Sequence, residues 1–105
     1  MGTDDVYELF QNGTRLLEQR NFHAAAVPLG RALFGAQRYA EAAAEFEAVV
    51  ERAPTNDYAL FCLGRSLQQL GRHKEARKPL ALACRLRPER SDYRHYHDRA
   101  RTRGA

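Results

Sequence analysis

His95, His97 and Asp98 are the residues whose types most invite a metal reading. Imidazole and carboxylate are ordinary ligands for zinc, but a site needs three or four of them converging on one point. On a helix, residues two apart point about 200° away from each other, so His95 and His97 do not readily share an ion. His95 with Asp98 leaves only a two-ligand surface site, and solvated side chains are the expected reading. His23 and His73 fall at helix starts, and no GxSxG, HExxH or phosphate-loop pattern occurs. Nucleophilic or acid–base catalysis needs a base beside a nucleophile in a pocket. The chain is therefore expected to be no enzyme and to hold no metal or cofactor. Cys62 and Cys84 form no CxxC pair and lie among leucines and alanines, where free cysteine behaves as a small buried hydrophobe.

The arginines are the other source of chemistry. Residues 85–105 hold seven arginines against Glu89, Asp92 and Asp98, which accounts for the whole net charge of +4. The basic stretch, with Arg90, Arg94, Arg99, Arg101 and Arg103, is suited to phosphates or to an acidic partner. Tyr93 and Tyr96 interleave it, yet there is no sheet to present them as a stacking platform, so nucleic acid is the lesser expectation. Elsewhere Glu41, Glu45, Glu47 and Glu51 face a basic run of His73, Lys74, Arg77 and Lys78, if the two segments are neighbours.

These side chains must be positioned by helices. Isoleucine is absent and valine scarce, while alanine, leucine, glutamate and arginine dominate, a composition with high helix and low strand propensity. With 44% hydrophobic and 29% charged residues, the chain is an ordinary globular domain, sized for one modest core. No apolar run approaches the roughly 20 residues needed to span a bilayer. The acidic start MGTDDVYELF is unlike a signal peptide, so a cytoplasmic protein is expected.

Two segments align 34 residues apart: LGRALFGAQRYAEA (29–42) and LGRSLQQLGRHKEA (63–76), with Pro54 matching Pro88. Leu60, Leu63, Leu67 and Leu70 make one helical stripe, and Gly71 ends it. Ala76, Leu80, Ala83 and Leu86 share a face of the next helix, and Tyr39, Ala42, Phe46, Val49 and Val50 do so in the preceding unit. Thr55, Asn56 and Ser91 are natural N-caps. The order Leu-Gly, a large apolar residue, a turn, a small residue and a closing proline resembles the tetratricopeptide repeat of small, bacterial-type helical scaffolds. Leu60 stands where that pattern usually has an aromatic.

The resemblance implies an all-α fold, a right-handed superhelical solenoid of antiparallel helix pairs, forming a single domain over 1–105. About six helices are expected, near 4–19, 22–36, 39–52, 56–70, 73–86 and 90–101. The repeats are 23–56 and 57–90, preceded by the helix at 4–19 and followed by a polar capping helix, which open-ended solenoids need.

One register conflict remains. HAAAVPL (23–29) resembles the start of a second helix, matching HKEARKPL 51 residues on, whereas GRALFGAQ (30–37) resembles the end of a first helix. An absence of about 17 residues between Leu29 and Gly30 would reconcile them, and drift between similar hairpins is the alternative.

The resemblance implies a scaffold that binds a peptide or protein segment in a concave groove lined by the first helix of each pair. By repeat phase that face receives Arg31, Phe34, Tyr58, Phe61, Arg65, Gln68 and Gln69. Aromatic rings there suit an apolar anchor and arginines a carboxylate. The carboxylate clamp of chaperone-binding relatives is not matched, because its Lys and Asn positions carry Phe10, Thr14 and Cys62. Self-association into a dimer is a second expectation, since an unpartnered apolar helix face favours it.

Overall fold

In a computed structural model, residues 21–103 are described, and they form five helices with no strand among them. The expected helix at 4–19 lies outside the described residues. The five are α1 (21–35), α2 (Tyr39–Arg52), α3 (Asp57–Gln69), α4 (His73–Leu86) and α5 (Ser91–Arg103). From the end of α1 through α5, each expected boundary is met within about two residues.

The turns explain those boundaries. At the end of α3, Gly71 takes a left-handed φ of 78°, its N–H donates to the Gln68 carbonyl, and the Arg72 N–H donates to that of Leu67. The end of α1 repeats this closure with Gln37, at φ 63°, where its counterpart is glycine. There the Gln37 and Arg38 N–H groups donate to Phe34 and Leu33. This double bond pattern satisfies carbonyls that the helix leaves orphaned. The N-terminus of α3 is capped by Asn56, whose Oδ1 accepts from the Ala59 N–H at 3.1 Å. At α2 and α4 the capping positions are Arg38 and Arg72, which give no side-chain cap and instead pair with Glu41 and Glu75 one turn on.

The helices stack in two layers. Helix α3 packs on α2, α4 on α3 and α5 on α4, and α3 also touches α5. The Arg65 side chain of α3 reaches Phe34 of α1. Helices α1, α3 and α5 thus adjoin in one layer. Helices α2 and α4 form the other and are separated by a groove floored by Leu63 and Leu67. Closer spacing in the first layer makes it the inner, concave side of the solenoid. The groove also changes the expected charge seam. Glu47 and Lys78 line its two sides, but the ion pairs formed nearby are Arg38–Glu41 and Arg72–Glu75, each within one helix start.

Between the layers lies the core of Ala42, Phe46, Leu60, Leu67, Ala76, Leu80 and Ala83. Helix α3 is buried over more than one stripe, because α2, α4 and α5 all lean on it; Ala59, Phe61 and Ser66 are covered as well. Ser66 is satisfied by donating its hydroxyl to the Cys62 carbonyl at 2.8 Å. Leu70 and Leu86, expected on the apolar stripes, are 37% and 39% exposed, each at the C-terminal end of its helix. Cys62 and Cys84 are free and only partly buried at the core margin.

Helix α1 runs unbroken through Leu29–Gly30, the point at which the register conflict placed a gap. Gly30 is buried against the Phe46 ring as Gly64 is against Leu80, so α1 works as the first helix of its pair. Leu29 is 49% exposed although its counterpart Leu63 is covered. Leu63 lies beside residues of the preceding helix α2, and the segment preceding α1 lies outside the described residues.

Candidate functional site

The inner layer brings Arg31, Phe34, Tyr58, Cys62, Arg65, Gln68 and Tyr96 together at its centre. Arg65 is the pivot. Its guanidinium carbon lies 4.9 Å from the centre of the Phe34 ring, 4.5 Å from Tyr96 and 5.9 Å from Phe61. One cation is therefore held against rings from α1, α3 and α5. Its Nε is buried and has no hydrogen-bond partner among the described residues. Contacts of this kind contribute roughly 0.5–1 kcal/mol when exposed and about 2 or more when desolvated.

The expected site residues divide by what they do. Phe61 is 7% exposed and stacks on Tyr93 at 4.4 Å and on Tyr96 at 5.5 Å, so its ring is engaged by α5. Phe34 is half-buried, edge-on to Tyr39 at 5.0 Å. Gln68 donates its side-chain amide to the Tyr96 carbonyl at 2.8 Å, tying α3 to α5. Arg31 and Gln69 are exposed. Tyr58 neighbours Cys62; burial, then the neighbouring thiol, push its hydroxyl pKa up, against the lowering effect of Arg31 and Arg65. Burial also raises the Cys62 thiol, with Tyr58, Arg65 and Arg31 opposing.

The basic C-terminal stretch is split by the helix. Arg90 pairs with Asp92 at 2.7 Å and lies over Tyr93, while Arg94 donates to the Pro88 carbonyl. Arg101 flanks a shallow hollow with Asp98 and Thr102. Arg99 and Arg103 turn to the inner side, where they line a cleft of about 100 Å³ with Gln68, Gln69, His73 and Tyr96. Among the described residues no three His, Cys, Asp or Glu side chains are gathered for a metal ion.

Sequence reasoning missed the role of Tyr93, which it took for a surface aromatic. Tyr93 is fully buried, and its hydroxyl donates to Asp57 Oδ2 at 2.7 Å. Its counterpart one repeat earlier is Ala59, also fully buried, so the 34-residue spacing carried the signal for burial though not for size.

The comparisons agree with this architecture. The family model described as tetratricopeptide repeat matches residues 27–91. No curated protein matches the chain. Among solved structures, one described as MamA AMB-1 C2221 is similar, with 29% sequence identity and a TM-score of 0.61. The match covers 89% of this chain and 64% of that one, so the chain spans under two thirds of its neighbour's length. With more than half its residues matched by the family model, and with its helices stacked in the pattern of the repeat, the chain belongs to the tetratricopeptide repeat family.

Proposed function

We propose that this protein is a non-catalytic scaffold that binds a peptide or protein segment along its inner face. Membership of a family of interaction modules supports the scaffold reading. The observation that carries the groove is Arg65, seated between Phe34 and Tyr96, because it joins three first helices into one surface. That surface has ring walls at Phe34 and Tyr96 and exposed polar ends at Arg31 and Gln69. A preorganised surface binds with less ordering cost than a mobile one. The two free thiols suit a reducing cytoplasm. No helix among the described residues is long and apolar enough to cross a membrane.

The test is site-specific photocrosslinking in the native cell. Crosslinkers at Arg31 and Gln69 on the inner face should trap a defined partner, and those at Glu47 and Lys74 on the outer layer should not. Adducts from the outer positions alone would overturn the groove. Adducts joining two copies of this chain through the inner positions would instead identify the segment as its own.

A further inference from the structure

Arg31, Arg65 and Arg99 recur at intervals of 34 residues, at one register position on α1, α3 and α5. Among the described residues the ion pairs use Arg38, Arg72, Arg87 and Arg90, all at helix starts or hairpin ends. None uses Arg31, Arg65, Arg99 or Arg103. The cleft between α3 and α5 repeats the bias: its walls are Gln68, Gln69, His73, Tyr96, Arg99 and Arg103, with no carboxylate. Two nitrogens on this side, Arg65 Nε and His73 Nδ1, are buried without a partner among the described residues. A surface with cations and no carboxylates of its own is complementary to carboxylates.

We propose that the inner face takes an acidic peptide segment, its Asp or Glu side chains meeting Arg31 and Arg65 at one end and the Arg99–Arg103 cleft at the other. The inference rests on the groove reading above and adds the partner's chemistry. It differs from the carboxylate clamp of chaperone-binding relatives, whose Lys and Asn positions hold Phe10, Thr14 and Cys62 here. Nucleic acid is the less fitting occupant. It needs ring faces for stacking, and here Phe61 lies on Tyr93 while Arg65 and Arg99 sit 4.5 and 5.8 Å from the centre of Tyr96. At the start of α5, Arg90 is drawn off to Asp92 and Arg94 to the Pro88 carbonyl.

Calorimetric titration of the full chain tests this with a C-amidated ten-residue peptide alternating glutamate with leucine and alanine. The glutamine version of the peptide is the control. The glutamate peptide should bind at least about tenfold more tightly at low salt and weaken as salt rises. An Arg99→Gln, Arg103→Gln variant should lose most of that advantage, and an Arg90→Gln, Arg94→Gln variant should keep it. Circular dichroism confirms that both variants are folded. Equal binding of the two peptides, still lost in the inner variant, overturns the acidic inference and leaves the groove standing. Binding that ignores the inner variant overturns both. A single-stranded RNA that binds more tightly than the glutamate peptide, or failure of both peptides to bind, also overturns the acidic inference.

Discussion

Gly64 lies against Leu80 as Gly30 lies against Phe46, one repeat earlier, and in both places a β-carbon has no room. Built on Gly64 it would stand 2.7 Å from Leu80 Cδ2 and closer still to Cγ, the branch point of the side chain. On Gly30 it would stand 2.7 Å from the Phe46 ring. Leu80 and Phe46 are 0% and 1% exposed, so neither has space to retreat. Alanine gains about 1 kcal/mol of helix propensity, but overpacking costs roughly 1–3 kcal/mol. Gly64→Ala and Gly30→Ala should each lower the thermal midpoint, whereas Gly35→Ala, with open space around it, should not. Melting curves of the three variants decide the matter.

The two helix closures differ by one residue type. Gln37 holds a positive φ that glycine adopts freely, and Gly71 holds the same conformation without strain. Left-handed geometry costs an ordinary residue about 1–2 kcal/mol, and glycine's greater freedom in the unfolded chain returns part of that. Gln37→Gly should therefore raise stability modestly and Gly71→Ala should lower it by about 1 kcal/mol. Urea titrations with unchanged slope would check both signs.

Asn56 is the side-chain cap of α3, and its loss should be felt because α3 is the most enclosed helix. Asn56→Ala should cost about 1 kcal/mol. Truncating Arg38 should have little effect, since its pair with Glu41 is more than half exposed on both sides. Chemical denaturation of the two variants measures the contrast.

Alkaline pH should unfold the protein through buried protons. Tyr93 has its pKa pushed up by burial first, then by its bond to Asp57 and that group's charge. Tyr58 is raised by burial, and Cys62 likewise. A raised folded pKa means the native state holds the proton more tightly, so the stability it contributes is whole below the unfolded pKa and falls above it. The decline should begin near pH 9 for Cys62 and near 10 for the tyrosines, their ordinary values. Tyr93→Phe should lower stability at neutral pH by about 1–2 kcal/mol through the lost bond to a carboxylate. It should also flatten the fall above pH 10. A fall equally steep in wild type and variant would exclude this origin.

How much of this was legible depends on what the repeat transmits. The spacing of 34 placed the helices and put Arg31 and Arg65 at one register position, because each depends on local period. Burial of Tyr93 was not legible from α5 itself, where charges outnumber apolar residues and only the phase relation to Ala59 pointed inward. Phe61 looked free for a ligand because the amphipathic stripe of α3 was read as facing one neighbour. Helix α5 is a further neighbour of that helix, and it takes that ring. The register conflict at Leu29 arose because the starts of first and second helices share a pattern of small residues. The packing of Gly30 on Phe46 distinguishes them.

Helix α5 carries an asymmetry of consequence. It completes the inner face with Tyr96 and Arg99, yet only Tyr93 and Ala100 of its thirteen residues are buried, and it follows α4 as the last described layer. Local opening is easiest where apolar anchorage is least. The surface is thus built in part on a helix with little apolar anchorage of its own. A segment seated against Arg99 would raise that opening energy by its own binding, so occupancy of the groove and order in the final helix are two readings of one equilibrium.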